Sequence, residues 1–234
     1  MLTQKPILEV IACSVEDAIN AEKGGAPRLE VISDFTRDGM TPPIDLVERI
    51  LASVSIPIRI MIRETEEFTV TDERVVEKLC QSASAFAKLP IDGLVLGFVK
   101  NGEVDIELTR RVLSQAPNLK ATFHHAFEHV DDPFKAIESL KTCDQIDRIL
   151  TMGGQGSWPE KIALLSDYEK AAAPQLSILA GGGLTSQIIK EIRTSTDVRE
   201  FHVGRAVRQP STIDGVVESS LVKNLVNLIN TFQQ

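Results

Sequence analysis

The sequence predicts an α/β fold closed as a single (β/α)8 TIM barrel over residues 1–234, and three observations carry that reading. Short apolar runs recur roughly every 25–30 residues, the spacing of a strand–helix unit. Stretches of helical period separate them, which implies parallel strands joined by right-handed crossovers. The chain holds eight such units in 234 residues, the number and length at which a parallel sheet closes on itself. An open doubly wound sheet uses the same units but gives no reason for eight. No linker, low-complexity tract or second-domain signature interrupts the pattern.

The eight runs are ILEVIA (7–12), RLEVIS (28–33), IRIMI (58–62), GLVLGF (93–98), KATFHH (120–125), DRILTM (147–152), LSILAG (176–181) and EFHVGR (200–205). Between the first two, SVEDAINAEKGG sets Val15, Ala18, Ile19 and Glu22 on one helical face. Ser14 caps its start and glycine closes it. Pro42-Pro43 opens the second helix, Thr71 and Ser186 are N-caps of later ones, and GVVESSLVKNLVNLINTF supplies the last over 215–232.

Composition narrows the partners. The net charge is -8 and Lys and Arg are nowhere clustered, which argues against nucleic acid or an anionic membrane surface. The start, MLTQKPILEV, has no signal-like apolar region. No stretch approaches the roughly 18 apolar residues of a membrane span. Cys13, Cys80 and Cys143 are odd in number and far apart, so neither a disulfide framework nor a Cys-x-x-Cys metal site is expected. A cytoplasmic protein is the expectation.

Charged residues inside the strands are the unusual feature. In both Leu-Glu-Val triplets the apolar residues suit the helix layer, which sends Glu9 and Glu30 into the barrel. In strand three Ile58, Ile60 and Ile62 face out, so Arg59, Met61 and Arg63 face in. Buried carboxylates need partners, and Arg28, Arg59 and Arg63 have the right parity to supply them. These charges read either as a structural ion network or as a functional site. Arg63 stands at the carboxyl end of its strand, where barrel active sites lie. His124 shares the inward parity of Thr122. On strand eight Phe201 and Val203 suit the helices, which turns His202 inward. Thr151 adds a small polar group at the end of strand six.

The seventh loop is AGGGLTS and the eighth strand ends FHVGRAVR. In barrels these two loops commonly hold a phosphate with backbone N–H groups and a helix N-terminus. Gly181, Gly182, Gly183, Gly204 and Arg205 are therefore the candidate anion-binding residues, resembling the loops of ribulose-phosphate epimerase-like barrels.

Over nearly its whole length the chain resembles the CutC family. The resemblance rests on LEVIACSVEDAINAEKGGAPRLE, DGMTPP, MIR, TFHHAF, DRILTMGG and AGGGL. It implies a TIM barrel, a cytosolic location, a homo-oligomer (dimer or tetramer) and a role in copper homeostasis. Glu9, Ser14, Glu30, Ser33, Arg63, His124, Thr151 and Gly181 to Gly183 match the family. Family members proposed to bind copper carry cysteines where this chain has Ile11 and Ile32. Cys13 stands where an acidic residue is usual, ETEE replaces Pro-Arg-Gly-Gly, and His125 and Glu128 replace Arg and Asp. Cu(I) prefers thiolate and thioether ligands, and Cys13 with Met61 or Met152 is a poor substitute for a cysteine pair. Copper is thus implied by the resemblance alone, and a divalent metal is the alternative cofactor.

Two functions compete. One is copper handling by binding. The other is an isomerase, epimerase or lyase acting on a small phosphorylated metabolite, with Glu9, Glu30, Arg63 and His124 as catalytic candidates. In it His124 or Glu30 moves a proton, Arg63 stabilises negative charge, and Ser33, Thr151 and His202 complete the pocket. No lysine ends a strand run (Lys100 follows the fourth by two residues), which disfavours Schiff-base chemistry. A noncatalytic metabolite sensor would use the same pocket.

Overall fold

Each apolar run becomes a strand, and each stretch of helical period covers the strand before it. In the computed structural model, which describes residues 5–231, the order is β1 (Ile7–Ala12), α1 (Val15–Lys23), β2 (Arg28–Val31), α2 (Ile44–Leu51), β3 (Ile58–Met61), α3 (Glu73–Phe86), β4 (Gly93–Leu96) and α4 (Ile106–Leu113). It continues with β5 (Lys120–Phe123), α5 (Pro133–Lys141), β6 (Ile146–Thr151), α6 (Trp158–Ala172), β7 (Ser177–Ala180), α7 (Ser186–Ser195), β8 (Glu200–Val203) and α8 (Ser219–Thr231). The strands pair in parallel, each with its neighbours in sequence, and β1 pairs with β8 to close the barrel.

The boundaries differ from the sequence reading where local hydrogen bonds decide. Asp72 rather than Thr71 caps α3, accepting from Arg74 N. Thr185 rather than Ser186 caps α7, accepting from Ile188 N. The last helix begins at Ser219, because Val216 and Val217 pair antiparallel with Arg208 and Gln209. Residue 232, its expected end, lies outside the described residues. Most strands also stop short of their apolar runs. Ser33 leaves β2 to form an isolated bridge with Met40, and His124 and His125 lie past β5 in the loop.

Strand alternation separates two cores. Leu8, Val10, Leu29, Val31, Ile58, Ile60, Phe201 and Val203 are buried in the main apolar core. The opposite faces fill the barrel with charge. Register places Glu9 beside Arg28 and His202, and Glu30 beside Arg59. Arg59 donates to Asp147 through both terminal nitrogens at 2.7 Å, to Asp92 at 2.8 Å and to Thr122 Oγ1 at 2.8 Å. Arg28 bridges Glu9 and Glu200, and Arg148 bridges Glu200 and Asp147. Gly93 makes room for this layer: a Cβ there would lie 2.5 Å from Lys120 O and 3.4 Å from Arg59 Nε.

Arg59 is 1 % exposed, and truncating it removes the guanidinium that joins Asp92, Thr122 and Asp147. Arg59→Ala is expected to cost about 3 kcal/mol, the low end of the range for breaking one side of a buried pair, because Asp147 keeps Arg148 and Asp92 reaches solvent. The shift of the urea midpoint measures this, and an unchanged midpoint would show that the network is solvated.

Candidate functional site

Above the arginine layer, Glu9, Glu30 and His202 meet on the barrel axis side of β1, β2 and β8. His202 Nδ1 lies 2.9 Å from Glu9 Oε1, and His202 Nε2 lies 3.5 Å from Glu30 Oε2. Glu9 also accepts from Arg28 Nε. Burial opposes ionisation of Glu9, but Arg28 and His202 prevail and hold its carboxyl well below the usual range. Glu30 behaves oppositely. Burial, with the charge of Glu9, pushes it up to about 7 against the pull of His202 and Arg28. Its Oε1 has no hydrogen-bond partner. Burial would lower His202, yet Glu30 and Glu9 together raise it.

An apolar layer caps this cluster. Ile11, Ile32, Met61 and Val95 pack together, with half-buried Cys13 and Phe35 against them. The glycines of the last two loops serve that packing as much as any ligand. A Cβ at Gly204 would lie 2.6 Å from Phe35 Cζ and 2.9 Å from Ile11 Cδ1. One at Gly181 would lie 2.6 Å from Leu150 Cδ1, and one at Gly182 would lie 2.9 Å from Met152 Cβ. Gly182 and Gly183 both take positive φ, +81° and +82°, but a Cβ at Gly183 would meet nothing within 4 Å.

Gly183 and Arg205 line a cleft of about 590 Å³ together with Thr185, Ser186 and Asn224. The amides of Gly182, Gly183, Ser186 and Gln187 have no acceptor among the described residues. Arg205 is exposed and forms no ion pair among them. Of these, Gly183, Ser186 at the N-terminus of α7 and the Arg205 guanidinium line the same cleft.

The other expected site residues are tied into loops. Arg63 is buried, but its guanidinium donates to the carbonyls of Thr65, Glu66, Arg37 and Asp38 and stacks on Phe68 at 4.7 Å. Those bonds leave it as a clasp between two loops rather than an open anion stabiliser. His124 Nδ1 accepts from Ala126 N at 3.2 Å, and Gly97 is the residue that admits the ring. Burial, then the charge of Arg63, lowers His124 far below its ordinary value, so it stays neutral. Thr151 Oγ1 donates to Glu128 Oε1 and accepts from Gly153 N at 3.1 Å. Ser33 Oγ donates to Thr41 O at 2.9 Å.

Sequence reasoning missed two groups. Glu128 also receives Met152 N at 2.7 Å and faces His125 Nδ1 at 4.0 Å, so it fixes the sixth loop against the fifth. Arg208 pairs with Asp17 at 2.9 Å and donates to Ile11 O at 3.1 Å, tying the eighth loop to β1. Neither shows a periodic signal, because both act across loops.

The CutC family model matches residues 6–207, from β1 through the loop after β8. The chain belongs to the CutC family. The copper homeostasis protein cutC homologue of Homo sapiens is 33% identical over 197 residues, covering 84% of this chain and 72% of the relative. A CutC family protein of Parabacteroides distasonis is 32% identical over 200 residues, covering 85% and 82%. The crystal structure of CutC from Streptococcus agalactiae superposes with a TM-score of 0.78 at 24% identity, covering 85% of this chain and 98% of that one. Phosphoribosylanthranilate isomerase from Thermotoga maritima shares the fold at a TM-score of 0.64 and 14% identity, covering 97% and 99%.

The cluster sets a pH dependence. Glu30 keeps a proton that the unfolded chain releases above about 4.5, so stability falls as pH rises from there to about 7. His202 adds the same sign, its contribution being lost as pH rises through its folded value. The stability from Glu9 is complete above 4.5 and is lost only at lower pH. Melting temperatures in chelator-treated buffer are expected to decline across that window, and Glu30→Gln to flatten the decline. A rising profile would contradict the assignment.

Proposed function

We propose that this chain binds a small phosphate-bearing metabolite where the loops after β7 and β8 meet, and acts on it as an isomerase, epimerase or lyase by proton transfer. The cleft between Gly183 and Arg205 carries this reading. Amides without acceptors, the N-terminus of α7 and an unpaired guanidinium attract an anion through hydrogen bonds and the helix dipole together. It lies at the position where barrel enzymes commonly hold phosphate.

His125 is the imidazole that suits the chemistry, and it replaces His124 in that role. It is half-buried and faces Glu128 at 4.0 Å. A Cβ at Gly182 would come within 3.7 Å of its Cε1, so it adjoins the glycine loop. Glu128, held by Thr151 and Met152, stands within one short approach of the ring, the position of a carboxylate that pairs with a general base. The free thiols of Cys13, Cys80 and Cys143 support a cytosolic location, where thiols stay reduced.

The relatives' copper homeostasis name meets an unsuitable donor set here. Ile11 and Ile32 bring only methyl groups to the mouth. Burial pushes the Cys13 thiol up to about 11 despite Arg208 nearby, so no thiolate is available near neutral pH. Cys80 lies on α3 and Cys143 beyond α5. One protonated thiol beside Met61 does not make a tight Cu(I) site.

Inorganic phosphate and sugar phosphates are expected to raise the melting temperature of the chain, since ligands of the native state stabilise it. Arg205→Ala, at an exposed position, should weaken that effect without lowering the unliganded melting temperature. Absence of any shift at tens of millimolar phosphate, or an unchanged shift in the variant, refutes the cleft as an anion site. Cu(I) titrated into reduced protein against a chelator is expected to stay with the chelator. Stoichiometric transfer to the protein would restore the copper reading.

A further inference from the structure

Inside the barrel, Glu9, Glu200, Asp92 and Asp147 each meet a guanidinium of Arg28, Arg59 or Arg148. Glu200 takes two guanidiniums on one oxygen, and Asp147 takes Arg59 and Arg148. Glu30 has no guanidinium at all. Its one polar neighbour is His202 Nε2 at 3.5 Å, and its Oε1 is unpartnered though the side chain is only 3 % exposed.

One ligand atom from each of Glu9, Glu30 and His202 lies within 4.8 Å of the others, and all three residues are buried. Ligands on one tetrahedral zinc ion stand about 3.4 Å apart for bonds of roughly 2.1 Å. Closing the set therefore needs each ligand atom to move inward by just under about 1 Å. The Glu9 contact at His202 Nδ1 leaves Nε2 facing Glu30, and as a ligand Glu9 would exchange its bond to His202 or to Arg28 for the ion. The donors are two oxygens and one nitrogen, which suits a borderline divalent cation and not Cu(I). The apolar cap of Ile11, Ile32, Met61 and Val95 excludes water above it.

We propose that Glu30, His202 and Glu9 form an interior binding site for one divalent cation of the zinc or cobalt type. Such an ion gives the unpartnered Oε1 of Glu30 a partner. The site lies inside the barrel, uses none of the residues of the phosphate cleft and stands whether or not that cleft binds phosphate.

The test uses the full chain, stripped with chelator and equilibrated with Co²⁺ or Zn²⁺ alone. Co²⁺ is expected to give visible d–d bands that saturate at one ion per chain, and Zn²⁺ to raise the melting temperature. Glu30→Gln should weaken binding by at least about 100-fold, whereas Cys13→Ser and His129→Gln, which remove an alternative thiol and an exposed imidazole, should change it by less than about threefold. The melting temperature of metal-free Glu30→Gln reports whether the variant folds. If it does not, His202→Gln takes its place with the same expected loss. No saturable bands in the wild type, binding kept in the folded variant, or loss in either control overturns the proposal.

Discussion

The pairing of charge inside a closed barrel is the constraint on which the rest of the structure depends. Arg59 is nearly inaccessible yet reaches Asp92, Thr122 and Asp147, which come from the approach to β4, from β5 and from β6. A single side chain on β3 thus ties together four successive strands of the barrel. Buried ion pairs contribute little net stability compared with apolar packing, but breaking one is costly. Here the pairs specify register. A one-residue slip of β2 would turn Arg28 and Glu30 to the helices, costing Glu9 and Glu200 their shared guanidinium. Gly93 belongs to the same design, since a side chain there would collide with the carbonyl of Lys120 and crowd Arg59.

The layers above follow from that floor. Glu9 is held ionised by Arg28, so its charge falls on Glu30, which lies too far from any guanidinium to be neutralised. His202 sits between the two and is drawn toward its protonated form by both. The apolar cap then withholds water from the cluster, which strengthens every interaction beneath it. Nearer the solvent, Gly183 and Arg205 line an open cleft, and His125 faces Glu128 in the loop after β5.

Glycine shows how one residue type answers to different demands. Gly181 and Gly204 are small because Leu150, Phe35 and Ile11 fill the space beside them. Gly183 is glycine for its backbone, at φ +82° with open space before it. A run of three glycines announces that the chain is crowded or turned. It does not announce by what, because the neighbour that crowds it belongs to another strand.

The barrel and the inward direction of Glu9, Glu30, Arg59 and His202 were legible in the sequence, because strand alternation has period two and a helix-covered sheet tolerates charge on one face only. The eightfold repeat and the family likewise follow from local pattern. Tertiary structure alone decided the partners. Arg63 and His124 have the parity and position of catalytic groups, yet loop carbonyls surround the one and the amide of Ala126 holds the other. Glu128 and Arg208 carry no periodic mark, yet they fix the loops after β6 and β8. Direction is a property of the strand a residue belongs to, and sequence encodes it. Hydrogen-bond partners come from segments far apart along the chain, and only closure of the barrel brings them together.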